Sequence, residues 1–183
     1  MKRKKGKKMK KWLIIIGLVF IMAAPSQAIS EEICPICNMD TAKSQTKFYV
    51  TIEGKKIPTC SARCMYELVF IKHKVTFQDR ENPILQSIEV MDFQSKKMFN
   101  AMTGFFLVGS DVIPKGSMEP YALGFSTLER ANKFWEKHTK PGARIVNFES
   151  LTHEVIGILR AEGKLPQKEA PMEQIEMFMK GKQ

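Results

Sequence analysis

Pro58-Thr-Cys60-Ser-Ala-Arg-Cys64-Met-Tyr-Glu-Leu68 and Leu123-Gly-Phe-Ser-Thr-Leu-Glu-Arg-Ala-Asn-Lys133 carry one pattern in the two halves of this 183-residue chain. In each, an extended segment ends in a hydroxyl-bearing residue and gives way to helical spacing, the mark of a strand-to-helix corner. Upstream of the first corner, Lys47-Phe-Tyr-Val-Thr-Ile52 alternates as a strand, Glu53-Gly54 turns it, and Lys55-Lys-Ile-Pro-Thr59 returns as the second arm of a hairpin. From Cys60 to Lys72 the apolar residues Cys60, Cys64, Leu68 and Ile71, with Met65 beside them, follow helical spacing. Ile84 to Phe93 then reads as a strand, so the first half is ββαβ.

The second half repeats this order. Gly104 to Gly109 and Pro120 to Phe125 read as strands, and Ser126-Thr-Leu-Glu129 has capping-box spacing for a helix running to about His138. Pro141-Gly142 stops that helix before the strand Ala143 to Phe148. Laying the two corners over one another predicts a duplicated unit, with repeats at about 34–93 and 103–153. Short strands with helices on one side indicate an α+β fold, two ββαβ repeats packed as one compact domain over residues 29–162. A further helix is expected from Glu149 to Glu162, stopped by Gly163, and residues 163–183 form a tail. Its stretch Met172 to Lys180 is amphipathic, and its methionines read as packing or a frayed end rather than as metal ligands.

The N-terminus has a separate logic. Eight basic residues between Lys2 and Lys11, the apolar run Trp12 to Ala24 and the small-x-small sequence Ser26-Gln27-Ala28 form a signal peptide, with cleavage expected after Ala28. The apolar run is shorter than the roughly 20 residues of a spanning helix, so membrane attachment follows only if the segment stays uncleaved. Glu31-Glu32-Ile33 precede the first cysteine, which argues against lipidation. The expected location is periplasmic or otherwise extracytoplasmic. Removing residues 1–28 takes away basic residues and no acidic ones, so the formal charge falls from +10 to +2. Nucleic-acid binding thereby loses its electrostatic basis.

All four cysteines lie between residues 34 and 64: Cys34-Pro-Ile-Cys37-Asn-Met39, then Cys60-Ser-Ala-Arg-Cys64-Met65. A mature chain of about 155 residues buries a core without disulfide staples, and this clustering leaves most of the chain unstapled. Disulfides, Cys34 with Cys37 and Cys60 with Cys64 or crosswise, stay open as the alternative. The hairpin between Cys37 and Cys60 returns the first pair to the start of the following helix, where the helix dipole favours thiolate. The spacing C-x22-C-x3-C resembles the TRASH motif of metal-sensing and trafficking proteins. Four thiolates suit zinc as a closed structural site, whereas thiolate with thioether selects Cu(I). Met39, directly behind the cysteine knuckle, favours copper. Met118, in the turn Ile113-Pro-Lys-Gly-Ser-Met-Glu-Pro120, joins the candidates because repeat symmetry can bring this loop toward Cys37 and Met39. His73, His138 and His153 lie near helix ends and read as surface residues. Among motifs of catalysis, no nucleophile with its base, Gly-rich phosphate loop or paired carboxylates stands out.

Beyond these residue-level readings, the chain resembles the NosL-type copper chaperones, accessory proteins of nitrous-oxide reductase, from Cys34 to about His153. Cys34-Pro-Ile-Cys37-Asn-Met39 is similar to the family's C-x-x-C-G-M, and Thr59 to Met65 to its segment at the first helix start. Asp92-Phe93, Asn100-Ala101 and Phe105 to Ser110 resemble its D-Y, D-A and Y-V-x-G-S elements. Lys115-Gly-Ser-Met118, Gly124-Phe125 and Gly142 to Phe148 resemble K-G-x-M, A-F and G-G-x-V-x-F. The resemblance implies an exported Cu(I) carrier with duplicated ββαβ halves, a fold similar to organomercurial lyase, and a metal region at Cys37, Met39 and Met118. Asn38 and Glu119 stand where the family has glycine, and Cys64 is an extra thiol.

The leading expectation is a binding protein. It would hold Cu(I) with Cys37, Met39 and Met118, with Cys34, Cys60 and Cys64 as further candidates, and pass it to a recipient copper enzyme. The alternatives are a zinc-stapled interaction domain, a thiol-disulfide enzyme using Cys34 and Cys37, and, by fold analogy alone, an enzyme that cleaves carbon–metal bonds.

Overall fold

The computed structural model describes residues 32–73, 85–138 and 140–166. The expected signal segment, residues 1–28, and the tail methionines from Met172 onward lie outside them. Two antiparallel sheets carry the fold. The first has β1 (Phe48–Ile52), β2 (Lys55–Thr59), β3 (Leu85–Met91) and β4 (Met98–Asn100) in the order β2-β1-β3-β4. The second has β5 (Phe105–Val108), β6 (Ala122–Phe125) and β7 (Arg144–Asn147) in the order β6-β5-β7. In both, a hairpin is followed by a helix, and the next strand returns to the free edge of the hairpin's first strand. That common order is the duplicated ββαβ unit. The short strand β4, which pairs Met91 with Met98 at its end, is an addition the sequence pattern did not announce.

Among the described residues three α-helices complete the fold: α1 (Ala62–Tyr66), α2 (Leu128–Trp135) and α3 (Phe148–Ala161). The first is expected to begin at Cys60 but begins two residues later. Ser61 takes the extended cap conformation (φ −157°) and its hydroxyl accepts from the Cys64 amide, which leaves Cys60 ahead of the helix. Beyond Tyr66 the helix widens into a π-type segment, Glu67–Lys72, closed by the His73 amide on the Leu68 carbonyl (3.0 Å). For α2 the cap is Thr127 rather than Ser126, because the Ser126 hydroxyl is already engaged by Asp92 (2.9 Å).

Alternation sorts the side chains between two cores. Phe48, Val50 and Ile52 on one face of β1 meet Met65, Leu68 and Val69 behind α1 and Leu151, Val155 and Leu159 of α3. Phe106 of β5 joins them, its ring stacked on Phe48 at 6.3 Å. The next residue, Leu107, points the other way and packs with Leu123, Phe125 and Ala131 under α2. The second sheet is therefore covered on both faces, and β6 is buried along its whole length. Tight packing of α1 against β1 and α3 sets the position of the corner that carries Cys60 and Cys64.

Candidate metal centre

Residues 34–39 form a knuckle. The Cys34 amide donates to the Met39 carbonyl and the Asn38 amide to the Cys34 carbonyl, both at 2.8 Å, and an isolated bridge pairs Ile33 with Asp40 behind them. The turn needs a left-handed residue at its fifth position. Asn38 supplies it with φ 60°, a conformation asparagine adopts at low cost, so the glycine expected there is dispensable. Asp40 then caps a short 3-10 turn, Thr41–Lys43, by accepting from the Ala42 amide.

The hairpin β1–β2 brings the chain back so that Cys60 and Cys64 face the knuckle. The four cysteine sulfurs all lie within 4.8 Å of one another, with Cys37 to Cys60 at 3.4 Å and Cys60 to Cys64 at 3.6 Å. All four are free thiols. Met39 and Met118 pack against the same group, and the Met118 Sδ stands 3.6 Å from the Cys64 Sγ. All six sulfur-bearing residues singled out in the sequence therefore meet in one cluster. Cys34, Cys60 and Cys64 are fully buried, whereas Cys37, Met39 and Met118 are partly exposed. The cluster has a closed floor of three thiols and an open rim of one thiol and two thioethers.

The rim depends on a loop from the other half of the chain. Gly116 (φ +65°) sits so close to the backbone of residues 43 and 44 that a Cβ there would lie 2.9 Å from the Ser44 Cα. The Gln45 amide donates to the Lys115 carbonyl (3.0 Å), and the Lys115 amide donates to the Gln45 Oε1 (2.9 Å). The Thr46 hydroxyl is hydrogen-bonded to Ser117 (2.6 Å) and to the Cys60 carbonyl (2.9 Å), which also accepts from Ser44 (2.7 Å). One polar stack thus fixes Met118 relative to Cys60. Glu119 does not hold the loop away; its side chain is exposed and its carbonyl faces Arg63 (3.5 Å). Sequence reading did not find Ser44, Gln45, Thr46 or Ser117 as part of the site. Their small polar residue types fit any turn, and nothing in the spacing says that the two segments meet.

The thiols are not electrically equal. Cys34 is pushed far down by thiol hydrogen bonds from Cys60 and Cys64, against the effect of burial, with backbone donors of the knuckle adding to it. Cys60 is pushed up to about 12, first by Cys34, and Cys64 is pushed up by Cys34 and Cys60 and by burial. The first thiolate therefore falls on Cys34 of the knuckle, held there by thiol and backbone donors. A tetrahedral thiolate site with metal–sulfur bonds of about 2.3 Å needs sulfurs about 3.8 Å apart, a spacing close to the one observed. The donor set fits a soft cation without rearrangement of the backbone. His73 and His153 are exposed, and His138 stacks on Phe134 (ring centroids 4.3 Å); the metal-ligand group among the described residues consists of the four cysteines. A cleft of ≈ 740 Å³ opens beyond Arg63 and Glu119, with both signs of charge on its walls and no cysteine.

A family model described as NosL matches residues 25–156. Among solved structures, the crystal structure of the copper chaperone NosL from Shewanella denitrificans shares the fold at a TM-score of 0.52 and 20% identity, covering 68% of this chain and 92% of that one. A comparison with curated proteins finds no match.

Proposed function

The chain belongs to the NosL family, and on that premise we propose that it is an exported Cu(I)-binding metallochaperone that delivers copper to a cupro-enzyme, nitrous-oxide reductase or a similar exported copper protein. The observation that carries this reading is the asymmetry of the sulfur cluster, three buried thiols beneath a partly exposed Cys37, Met39 and Met118. Thiolate and thioether together favour a soft monovalent ion. The copper chaperone of the same fold is consistent with it.

Delivery in this scheme is ligand exchange, with no covalent change in the protein. Copper rests on Cys37, Met39 and Met118, with Cys34, Cys60 and Cys64 as further donors below. An acceptor's sulfur or imidazole approaches from the rim and replaces the thioethers one at a time, while the buried thiols deny the ion to water. Residues 1–28, read as an export signal, support an exchange outside the cytoplasm. The test is transfer: Cu(I)-loaded protein mixed with apo nitrous-oxide reductase should lose its copper to the enzyme, faster than copper dissociates to a chelator of equal affinity. Equal rates would reject delivery.

A second reading has its own support. Four cysteine sulfurs within 4.8 Å also suit a closed zinc site. It makes the methionines bystanders, which the variants discussed below separate from the copper reading.

A further inference from the structure

The second half of the chain contains a turn built like the cysteine knuckle. The Asp92 amide donates to the Lys97 carbonyl (2.8 Å) and the Lys96 amide to the Asp92 carbonyl (2.9 Å), the same two bonds at the same offsets as in Cys34–Met39. Lys96 has φ 60°, as has Asn38. Behind each turn a short 3-10 segment follows, capped by Asp40 in one half and Asn100 in the other. At the helix corners, the Cys64 amide donates to its cap Ser61 and the Arg130 amide to its cap Thr127, both at 3.3 Å.

These landmarks pair the residues one by one. Asp92 occupies the place of Cys34, Ser95 that of Cys37, Ser126 that of Cys60 and Arg130 that of Cys64. The second set is also in mutual contact. The fully buried Asp92 carboxylate accepts from the Ser95 amide (2.8 Å), from the Ser126 amide and hydroxyl (2.9 Å each) and from the Arg130 guanidinium (3.3 Å). We propose that this cluster is a self-filled copy of the metal centre, in which Arg130 supplies the positive charge that a bound metal ion supplies in the first half. One turn is then clamped permanently and the other only when metal is loaded.

The physical difference lies in the bonds. N–H and O–H donors to a carboxylate, the Arg130 guanidinium among them, hold the Asp92 turn, whereas S–H donors, the weaker kind even toward a thiolate, hold the Cys34 turn. Among the described residues Lys72 reaches the Pro35 carbonyl (3.3 Å), on the backbone side of the knuckle. Metal bonds to the cysteines would lock the Cys34–Met39 turn onto the Cys60–Cys64 corner. Its departure frees the segment that carries Cys37 and Met39, which couples release of the ion to opening of the rim. This inference rests on the proposed metal-binding role of the cluster.

Amide hydrogen exchange on the reduced full chain, with and without one equivalent of Cu(I), reads both turns at once. The Cys34 and Asn38 amides should exchange at least tenfold faster without copper, while the Asp92 and Lys96 amides stay unchanged. Arg130→Gln should speed Asp92 and Lys96 at least tenfold in both forms and leave Cys34 and Asn38 alone; Arg130→Lys, which keeps the charge, should restore most of the protection. Equal exchange of Cys34 and Asn38 in the two forms would overturn the proposal, as would Arg130→Gln that leaves Asp92 and Lys96 protected. A chelator competition run beside it separates the failures. Protein that takes up no Cu(I) refutes the proposed function and the metal clamp together, whereas tight uptake with unaltered exchange refutes the clamp alone.

Discussion

The Met118 Sδ lies 3.6 Å from the Cys64 Sγ, although the two residues belong to different ββαβ units. The contact joins the halves at the point where the sulfur donors meet. It is enforced from both sides, by the cap that orients Cys64 and by the polar stack from Cys60 through Thr46 to Ser117.

Met118→Leu keeps volume and apolarity and removes the sulfur. Cu(I) affinity should fall at least tenfold, about 1.4 kcal/mol, with the apo Tm unchanged. Met172→Leu in the tail should leave both as they are. Chelator competition and thermal melts check this, and wild-type affinity in Met118→Leu, with loss in Cys60→Ser and Cys64→Ser, would confine the site to the first half.

Cys37→Ser should abolish tight Cu(I) binding while circular dichroism and apo Tm stay near wild type. Cys37 is the one thiol with solvent access, and the core behind β1, α1 and α3 holds the fold without it. Cooperative unfolding of this variant, or of the wild type on metal removal, would identify a structural site instead.

Gly116→Ala tests the seat of the loop. Its φ of +65° and the 2.9 Å approach to the Ser44 Cα leave no room for a methyl group, so stability should drop by about 1–3 kcal/mol and Cu(I) affinity should fall with it. Ser117→Ala, which removes one hydrogen bond to Thr46, should cost about 1 kcal/mol. Urea denaturation of the apo forms gives both values.

Asp92 sets a pH dependence. Burial alone would raise its carboxyl, but donors from Ser95 and Ser126 outweigh that and hold it well below the usual carboxylate range. A depressed folded-state pKa means stability that is fully present above the unfolded value near 4 and is lost as pH falls below it. Asp92→Asn should therefore cost about 2–4 kcal/mol at pH 7, and the gap to wild type should narrow between pH 4 and pH 2. A gap that widens on acidification would contradict the assignment.

The ββαβ order was legible because hairpin turns, alternation and helix corners are local signals, and Glu53-Gly54 and Pro141-Gly142 mark them plainly. The cap of α2 was not, since Thr127 competes with the equally suitable Ser126 and the outcome depends on Asp92, remote in sequence from Thr127. The cysteines and Met39 announced themselves by residue type. Met118 drew notice through repeat symmetry and family resemblance, while the clamp that seats it uses serine, threonine and glutamine, which carry no distinguishing chemistry. The copy of the knuckle at Asp92 was hidden for the opposite reason: its backbone is the same, but none of its four cluster residues matches the corresponding cysteine.

X-ray absorption on the reduced protein, offered equimolar Cu(I) and Zn(II), tests the central claim most directly. The account predicts one bound copper with sulfur-dominated ligation and a low coordination number, and a spectrum that changes in Met118→Leu. Retained zinc in a tetrahedral four-thiolate site that resists copper, with a spectrum indifferent to Met118, would contradict it.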